Sequence, residues 1–168
     1  MTPAIHINPD DYLETEGGRV FTAERNALAW ERAFADLSLA LRGGSNPKSL
    51  YVVMGVQGAG KTTWVQSNQE LLTNAVVFDA ALPAKSHRAK VLAIASALGV
   101  PAIAVWVNAP LEVALIRNQL RAPDKRVPEA AVRSVFSMLE PPSIEEGFVQ
   151  VIEISADANT GHGFAHFH

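Results

Sequence analysis

The chain of 168 residues is 48% hydrophobic and 18% charged, which suits one packed core of ordinary domain size and excludes both disorder and two full domains. With 14 lysines and arginines against 17 aspartates and glutamates, the net charge is −3, so no global basic field exists to gather extended nucleic acid. The lack of cysteine excludes disulfides, thiolate metal sites and cysteine nucleophiles. With no membrane-length apolar run and no basic-then-apolar leader, the chain reads as soluble and cytoplasmic, without a membrane partner.

A short, partly β-branched run from Ala4 to Asn8 stops at the turn-forming cluster Asn8-Pro9-Asp10-Asp11, which predicts a strand ending in carboxylates. Between Glu24 and Leu41, the residues Trp30, Phe34, Leu37 and Leu41 recur at spacings of four and three. They form the core-facing stripe of a helix that Thr22 can cap and Gly43-Gly44 stops, before a linker at Ser45-Asn46-Pro47. Leu50–Met54 is a continuous apolar run, as expected of a strand buried on both faces of a parallel sheet.

A helix is predicted from Lys61 to about Leu72, a buried strand over Ala75–Phe78, and a helix over Ser86–Leu98 closed by Gly99 and Pro101. Ile103–Val107 reads as a strand. Pro110 opens a helix reaching about Leu120, Pro128 opens another that ends before Pro141-Pro142, and Phe148–Ile154 is a last strand. Strands separated by helices need crossovers, so the expected architecture is a three-layer α/β fold with a mostly parallel five-stranded sheet. Residues 1–157 form a single domain in this reading, divided into a strand–helix segment over 1–44 and a core over 50–154, with 158–168 a flexible tail.

Gly55-Val56-Gln57-Gly58-Ala59-Gly60-Lys61-Thr62 matches G-x-x-x-x-G-K-[ST] between a buried strand and a helix, the context that a phosphate-binding loop of a P-loop NTPase requires. Its glycines let backbone N–H groups of Gly55, Gln57, Gly58, Ala59 and Gly60 face phosphate oxygens, and the helix N-terminus adds partial positive charge. Lys61 then reaches the β- and γ-phosphates, and the Thr62 hydroxyl holds Mg2+. Thr63 either points to the α-phosphate or caps the helix. The cofactors expected are ATP and magnesium.

From Leu50 to about Glu153 the chain resembles P-loop kinases related to polynucleotide 5′-hydroxyl kinase and to zeta-toxin-like kinases, which carry an AAA-type ATP-binding domain. Three stretches carry the resemblance: the phosphate loop with Thr63-Trp64; Val76-Val77-Phe78-Asp79 leading to Pro83 and Arg88; and Arg117-Asn118-Gln119-Leu120-Arg121 with Val127-Pro128-Glu129, Pro141-Pro142 and Glu146-Gly147-Phe148. It implies ATP-dependent phosphoryl transfer to a hydroxyl. In that family a strand ending in an aspartate base lies between the phosphate-loop helix and the strand that here ends in Asp79. Leu71–Ala75 leaves no room for it, whereas Ile7-Asn8-Pro9-Asp10-Asp11-Tyr12 followed by a helix looks like the same segment transposed to the N-terminus. Asp10 then matches the base; the alternative is a turn aspartate bonded to its own backbone. The family's polynucleotide kinases carry an arginine three residues after the base, where this chain has Leu13.

Arg117 and Arg121 share a helix face. The resemblance assigns Arg121 to charge on the transferring phosphoryl group and Arg117 to the neighbourhood of the nucleotide base; a solvated basic helix end is the plain alternative. Asp79 orients the magnesium shell or the acceptor hydroxyl, or else caps a turn. Arg88 either contacts an acceptor or is a surface arginine, Trp30 and Phe34 are core, and His162, His166 and His168 belong to a frayed terminus. The acceptor is a nucleic-acid 5′ end or a small metabolite. The competing functions are a nucleotide-dependent ATPase or switch, and an ATP-binding module without kinase activity.

Overall fold

The computed structural model describes residues 2–43, 49–156 and 163–167. Strand β1 (Ile5–Ile7) leads into a 3-10 turn (Pro9–Leu13) and a two-residue-per-strand hairpin of β2 (Glu14–Thr15) and β3 (Gly18–Arg19), then helix α1 (Ala23–Arg42). Next come β4 (Leu50–Met54), α2 (Lys61–Ser67), β5 (Val76–Asp79), α3 (Lys85–Ala97), β6 (Ala102–Asn108) and α4 (Leu111–Gln119). A 3-10 turn (Pro123–Lys125), α5 (Glu129–Ser137), a further 3-10 turn (Ile144–Glu146), β7 (Gln150–Ala156) and β8 (Gly163–Phe167) complete the order.

The main sheet runs β1-β5-β4-β6-β7-β8. Its first five strands are parallel, as the alternation of elements predicts. Leu50, Val52 and Met54 of β4 point to a core shared with Leu37 and Leu41 of α1 and Val91 of α3. Tyr51 and Val53 point to the opposite core, with Val65 of α2 and Ala114 of α4. Burial on both faces explains the unbroken apolar run of this strand. On α1 the Thr22 side chain accepts from the Arg25 N–H at 3.1 Å, as the cap predicts. The Phe34 ring stacks on Phe78 at 5.9 Å, and Trp30 tilts against both, so the aromatic pair packs in the core.

Three features depart from the sequence reading. Helix α2 stops at Ser67 rather than near Leu72, because the Asn68 and Gln69 side chains donate to the Trp64 and Val65 carbonyls at 2.7 Å each, taking the acceptors of the next helical turn. Gly163–Phe167 of the expected flexible tail forms β8, antiparallel to β7 with Ile152 opposite Phe167. It pairs what is otherwise an open strand edge and makes the sheet six-stranded. His166 lies on that strand opposite Glu153, while His162, His168 and the linker at Ser45-Asn46-Pro47 fall outside the described residues. The third departure is the β2–β3 hairpin, which the sequence reading omits. Among the described residues no helix is long and apolar enough to cross a membrane.

Candidate active site

Parallel strands bring their C-terminal ends to one side of the sheet, and the crevice forms where successive connections leave in opposite directions. Here that point is β4, which has β5 on one side and β6 on the other. The phosphate loop leaves β4 there, with β5 and β1 ending beside it. The resulting cleft holds about 360 Å3 and is lined by Asn8 and Asp10 after β1, by Gln57, Gly58, Gly60, Lys61, Thr62 and Thr63 of the loop and α2, by Asp79, and by Arg117 and Arg121 of α4 and the segment after it. Gly55 and Ala59 are not among the lining residues: against the expectation that they face phosphate, their N–H groups donate to the Ala81 and Val56 carbonyls at 3.2 and 3.1 Å.

The loop packs closely against α4. Gly58 has φ +83°, and a Cβ there would lie 2.3 Å from the Ala114 carbonyl oxygen, so only glycine fits. Arg117 reaches back from α4 to donate to the Ala59 carbonyl at 3.0 Å. Lys61 Nζ donates to the carbonyls of Gly55 at 2.9 Å and Val56 at 3.2 Å. Burial pushes the Lys61 ammonium below the ordinary lysine pKa, Arg121 adds to this, and the charges of Asp79 and Asp10 oppose it.

Asp79 is fully buried. One of its oxygens, Oδ2, meets His6 Nε2 at 3.0 Å and the Thr62 hydroxyl at 3.4 Å. The other, Oδ1, has no hydrogen-bond partner among the described residues. The bond to Asp79 raises the His6 pKa against the opposing effect of burial. A buried carboxylate oxygen left open beside a hydroxyl is the donor set that a cation with water ligands would complete.

The turn that carries Asp10 is capped by Asn8, whose side chain accepts from the Asp10 N–H at 2.9 Å. The carboxylate of Asp10 is therefore not needed as a cap. It stands at the cleft, 3.8 Å from the Arg19 guanidinium. Burial raises the Asp11 pKa, with His6 and Arg19 acting against it.

Arg121 sits in the loop between α4 and α5. The Asn118 side chain, fully buried, donates to the Val127 carbonyl at 2.6 Å and accepts from the Val127 N–H at 3.0 Å, closing residues 119–126 into a loop that presents Arg121. Burial lowers the Arg121 pKa, the nearby Arg19 charge adds to this, and Asp10 and Asp79 pull it back.

Arg88 is neither on the surface nor in the cleft. It is 1% exposed and pairs with Glu146 at 2.8 and 3.0 Å while its Nη1 donates to the carbonyls of Leu82, Pro83 and Glu140. Its family-like position reflects a clamp on the segment that follows Asp79. Sequence reasoning missed Arg19 and the role of His6. The Gly17-Gly18 dipeptide, a hairpin signal, was the clue to Arg19; nothing local marks His6, whose partner lies 73 residues away.

A family model described as an AAA domain matches residues 72–142. That stretch runs from before β5 through α5 and leaves the phosphate loop outside it. A chain from the native crystal structure of the AvrRxo1-ORF1:-ORF2 complex has a similar fold, with TM-score 0.57 and 14% identity over 94% of this chain and 72% of that one. The complex with sulphate ions gives 0.55 and 14% over 94% and 70%. The complex with ATP gives 0.56 and 13% over 94% and 69%. At this identity the likeness speaks to fold alone, an α/β arrangement of helices about a mostly parallel sheet. No curated protein matches the chain.

Proposed function

We propose that this protein is an ATP-dependent phosphotransferase that moves the γ-phosphate of Mg–ATP to a hydroxyl group, with Asp10 as the base. The observation that carries the reading is the shared cleft, in which the phosphate loop, Asp79, Arg121 and Asp10 surround one cavity. Asn8 frees the Asp10 carboxylate from capping, which favours the base over the turn residue. The parallel placement of β1 beside β5 supports β1 and α1 as a transposed strand–helix segment. A chain of similar fold crystallised with ATP supports the nucleotide.

In this reading the acceptor hydroxyl gives its proton to Asp10 as its oxygen bonds to the γ-phosphorus. The bond from that phosphorus to the β–γ bridging oxygen breaks, ADP leaves, and Asp10 returns its proton to solvent. Lys61 exchanges the carbonyls of Gly55 and Val56 for phosphate oxygens, and Arg121 faces the charge on the transferring group. Gln57, Thr63 and Arg117 bound the nucleotide side of the cleft.

Magnesium fits the residues present: the Thr62 hydroxyl would hold it directly and Asp79 through its open oxygen. With one hydroxyl and one carboxylate the protein relies on nucleotide phosphates for the remaining ligands, the usual arrangement for this ion. When bound, the ion neutralises charge on the β- and γ-phosphates.

The acceptor side favours a small hydroxylated metabolite over a nucleic-acid 5′ end. Leu13, where the resembling polynucleotide kinases carry arginine, is 2% exposed and packs into the protein, and the rim beside Asp10 carries the exposed carboxylates of Asp11 and Glu14. The test is transfer of labelled γ-phosphate from Mg–ATP to 5′-hydroxyl DNA and RNA oligomers, nucleosides, sugars and nucleotide sugars, beside Lys61→Ala and Asp10→Asn. Label on one acceptor, absent in Lys61→Ala and cut to a small residual rate in Asp10→Asn, is expected. Label released solely as free phosphate, or ATP bound and left intact, refutes the kinase reading in favour of an ATPase switch or an inactive module.

A further inference from the structure

Hairpin β2–β3 stands between the turn carrying Asp10 and the loop carrying Arg121, and Arg19 at its end touches both. Its Nε donates to Glu14 at 3.2 Å, its Nη1 lies 3.8 Å from Asp10 Oδ2, and its Nη2 lies 4.0 Å from Asp11 Oδ1. Each guanidinium nitrogen thus faces a different carboxylate. The Arg19 backbone N–H donates to Asp124 Oδ2 at 2.9 Å, three residues beyond Arg121. This close approach depends on the residue before it: a Cβ on Gly18 would lie 3.0 Å from that same oxygen.

A hairpin arginine paired with its cross-strand glutamate is ordinary, and Glu14 does stand opposite Arg19 in register. Such a pair on its own contributes little. Two features exceed it. The Arg19 side chain is 13% exposed while Asp10, Asp11 and Glu14 are 48%, 63% and 41% exposed, so the cation is the withdrawn centre of the cluster. Its side chain and main chain also anchor different segments, one ending in Asp10 and the other following Arg121.

We infer that Arg19 is a positioning residue, holding the Asp10 carboxylate at the acceptor side of the cleft and tying that carboxylate to the loop that presents Arg121. The inference rests on the kinase reading given above. The charged groups around Asp10 are Asp11 on its own turn, Glu14 and Arg19 on the hairpin, Lys61 on α2, Asp79 on β5 and Arg121 with Asp124 on the loop. Among them Arg19 is the cation that bonds to both segments. Its charge is also felt at Arg121, where it helps lower the pKa, in keeping with one connected cluster. A base held off its productive position by about 1 Å loses roughly 100-fold in rate, which sets the scale for an arginine that acts through an aspartate.

The test is a double-mutant cycle on the full chain with Arg19→Ala, Arg19→Lys, Asp10→Asn and Arg19→Ala/Asp10→Asn. Each is assayed for loss of labelled γ-phosphate from Mg–ATP to water and to the hydroxyl panel, and for binding of a fluorescent ATP analogue. Arg19→Ala is expected to lower kcat roughly 10- to 100-fold with analogue affinity unchanged. Arg19→Lys should recover part of the rate, and the double variant should be no slower than Asp10→Asn alone. Three outcomes overturn the inference while leaving the kinase reading in place: unchanged kcat in Arg19→Ala, weakened analogue binding in that variant, or additive losses in the double variant. Full turnover in Asp10→Asn, or wild-type γ-phosphate released solely to water or not at all, overturns both together.

Discussion

Replacing Arg88 by methionine strands the buried carboxylate of Glu146, whose side chain is 7% exposed, and removes a donor from three carbonyls. Breaking a buried pair by deleting one partner costs about 3–5 kcal/mol. For a chain of this size that corresponds to a melting temperature roughly 6–20 °C lower. The segment released includes Leu82, held at φ 43°, a left-handed conformation that costs a non-glycine residue on the order of 1–3 kcal/mol and persists because its surroundings impose it. Ala80 and Ala81 of the same segment line the cleft, so nucleotide affinity should weaken along with stability. Urea unfolding followed by circular dichroism measures the first effect, and titration with a fluorescent ATP analogue the second. In the double variant Arg88→Met/Glu146→Leu no charge is stranded, so most of the lost stability should return. A loss below about 1 kcal/mol in Arg88→Met, or no recovery in the double variant, refutes the stranded-charge account.

Gly58→Ala should abolish binding of the ATP analogue, because its Cβ meets the Ala114 carbonyl at 2.3 Å and must push the loop off α4; wild-type affinity would refute the fit. Burial and a hydrogen bond to Asp36 push the Tyr12 pKa up to about 12, so the folded state favours the neutral phenol. The associated stability is present in full below the unfolded value near 10 and is lost as pH rises from there through about 12. Solvent at this site holds the effect below about 1 kcal/mol, and urea midpoints should show Tyr12→Phe losing less stability than wild type across that window. Asn118→Ala leaves the Val127 N–H and C=O without partners, for a cost of about 1–3 kcal/mol. Faster hydrogen exchange in residues 119–127 should accompany it.

The inner strands β4, β5 and β6 were legible because burial on both faces leaves a one-dimensional trace, with Leu50–Met54 apolar at every position, whereas β1, exposed at Ile5 and His6, was marked by the turn cluster that ends it. The phosphate loop was legible for a similar reason, since its chemistry sits within eight consecutive residues between a strand and a helix. Strand β8 left no such trace: Gly163-Phe164-Ala165-His166-Phe167 sits in a Gly/His-rich stretch, and its pairing is set by the open edge of β7 rather than by its own pattern. Arg88 misled for a different reason. Its place at the start of a helix suggests exposure, and only the fold brings Glu146, 58 residues away, against it. The end of α2 was misplaced because the amides of Asn68 and Gln69 compete with the backbone locally, a tendency weaker than the helical pattern around them.

The order of the strands explains why the site draws on such distant parts of the chain. Strand β1 lies at the sheet edge, its crossover through α1 leads to β4, and β5 then inserts between the two. Because all three are parallel, Asp10 just past β1, Asp79 at the end of β5 and Lys61 just past β4 reach one crevice although 69 residues separate Asp10 from Asp79. A strand position at this edge can be filled from either side of the phosphate loop in sequence, since the crossover sets only the hand and not the order in which neighbours are added. The chemistry of the cleft therefore depends on where the strands end, and the residues that join those ends, Arg19 and His6, are the ones a linear reading is least able to find.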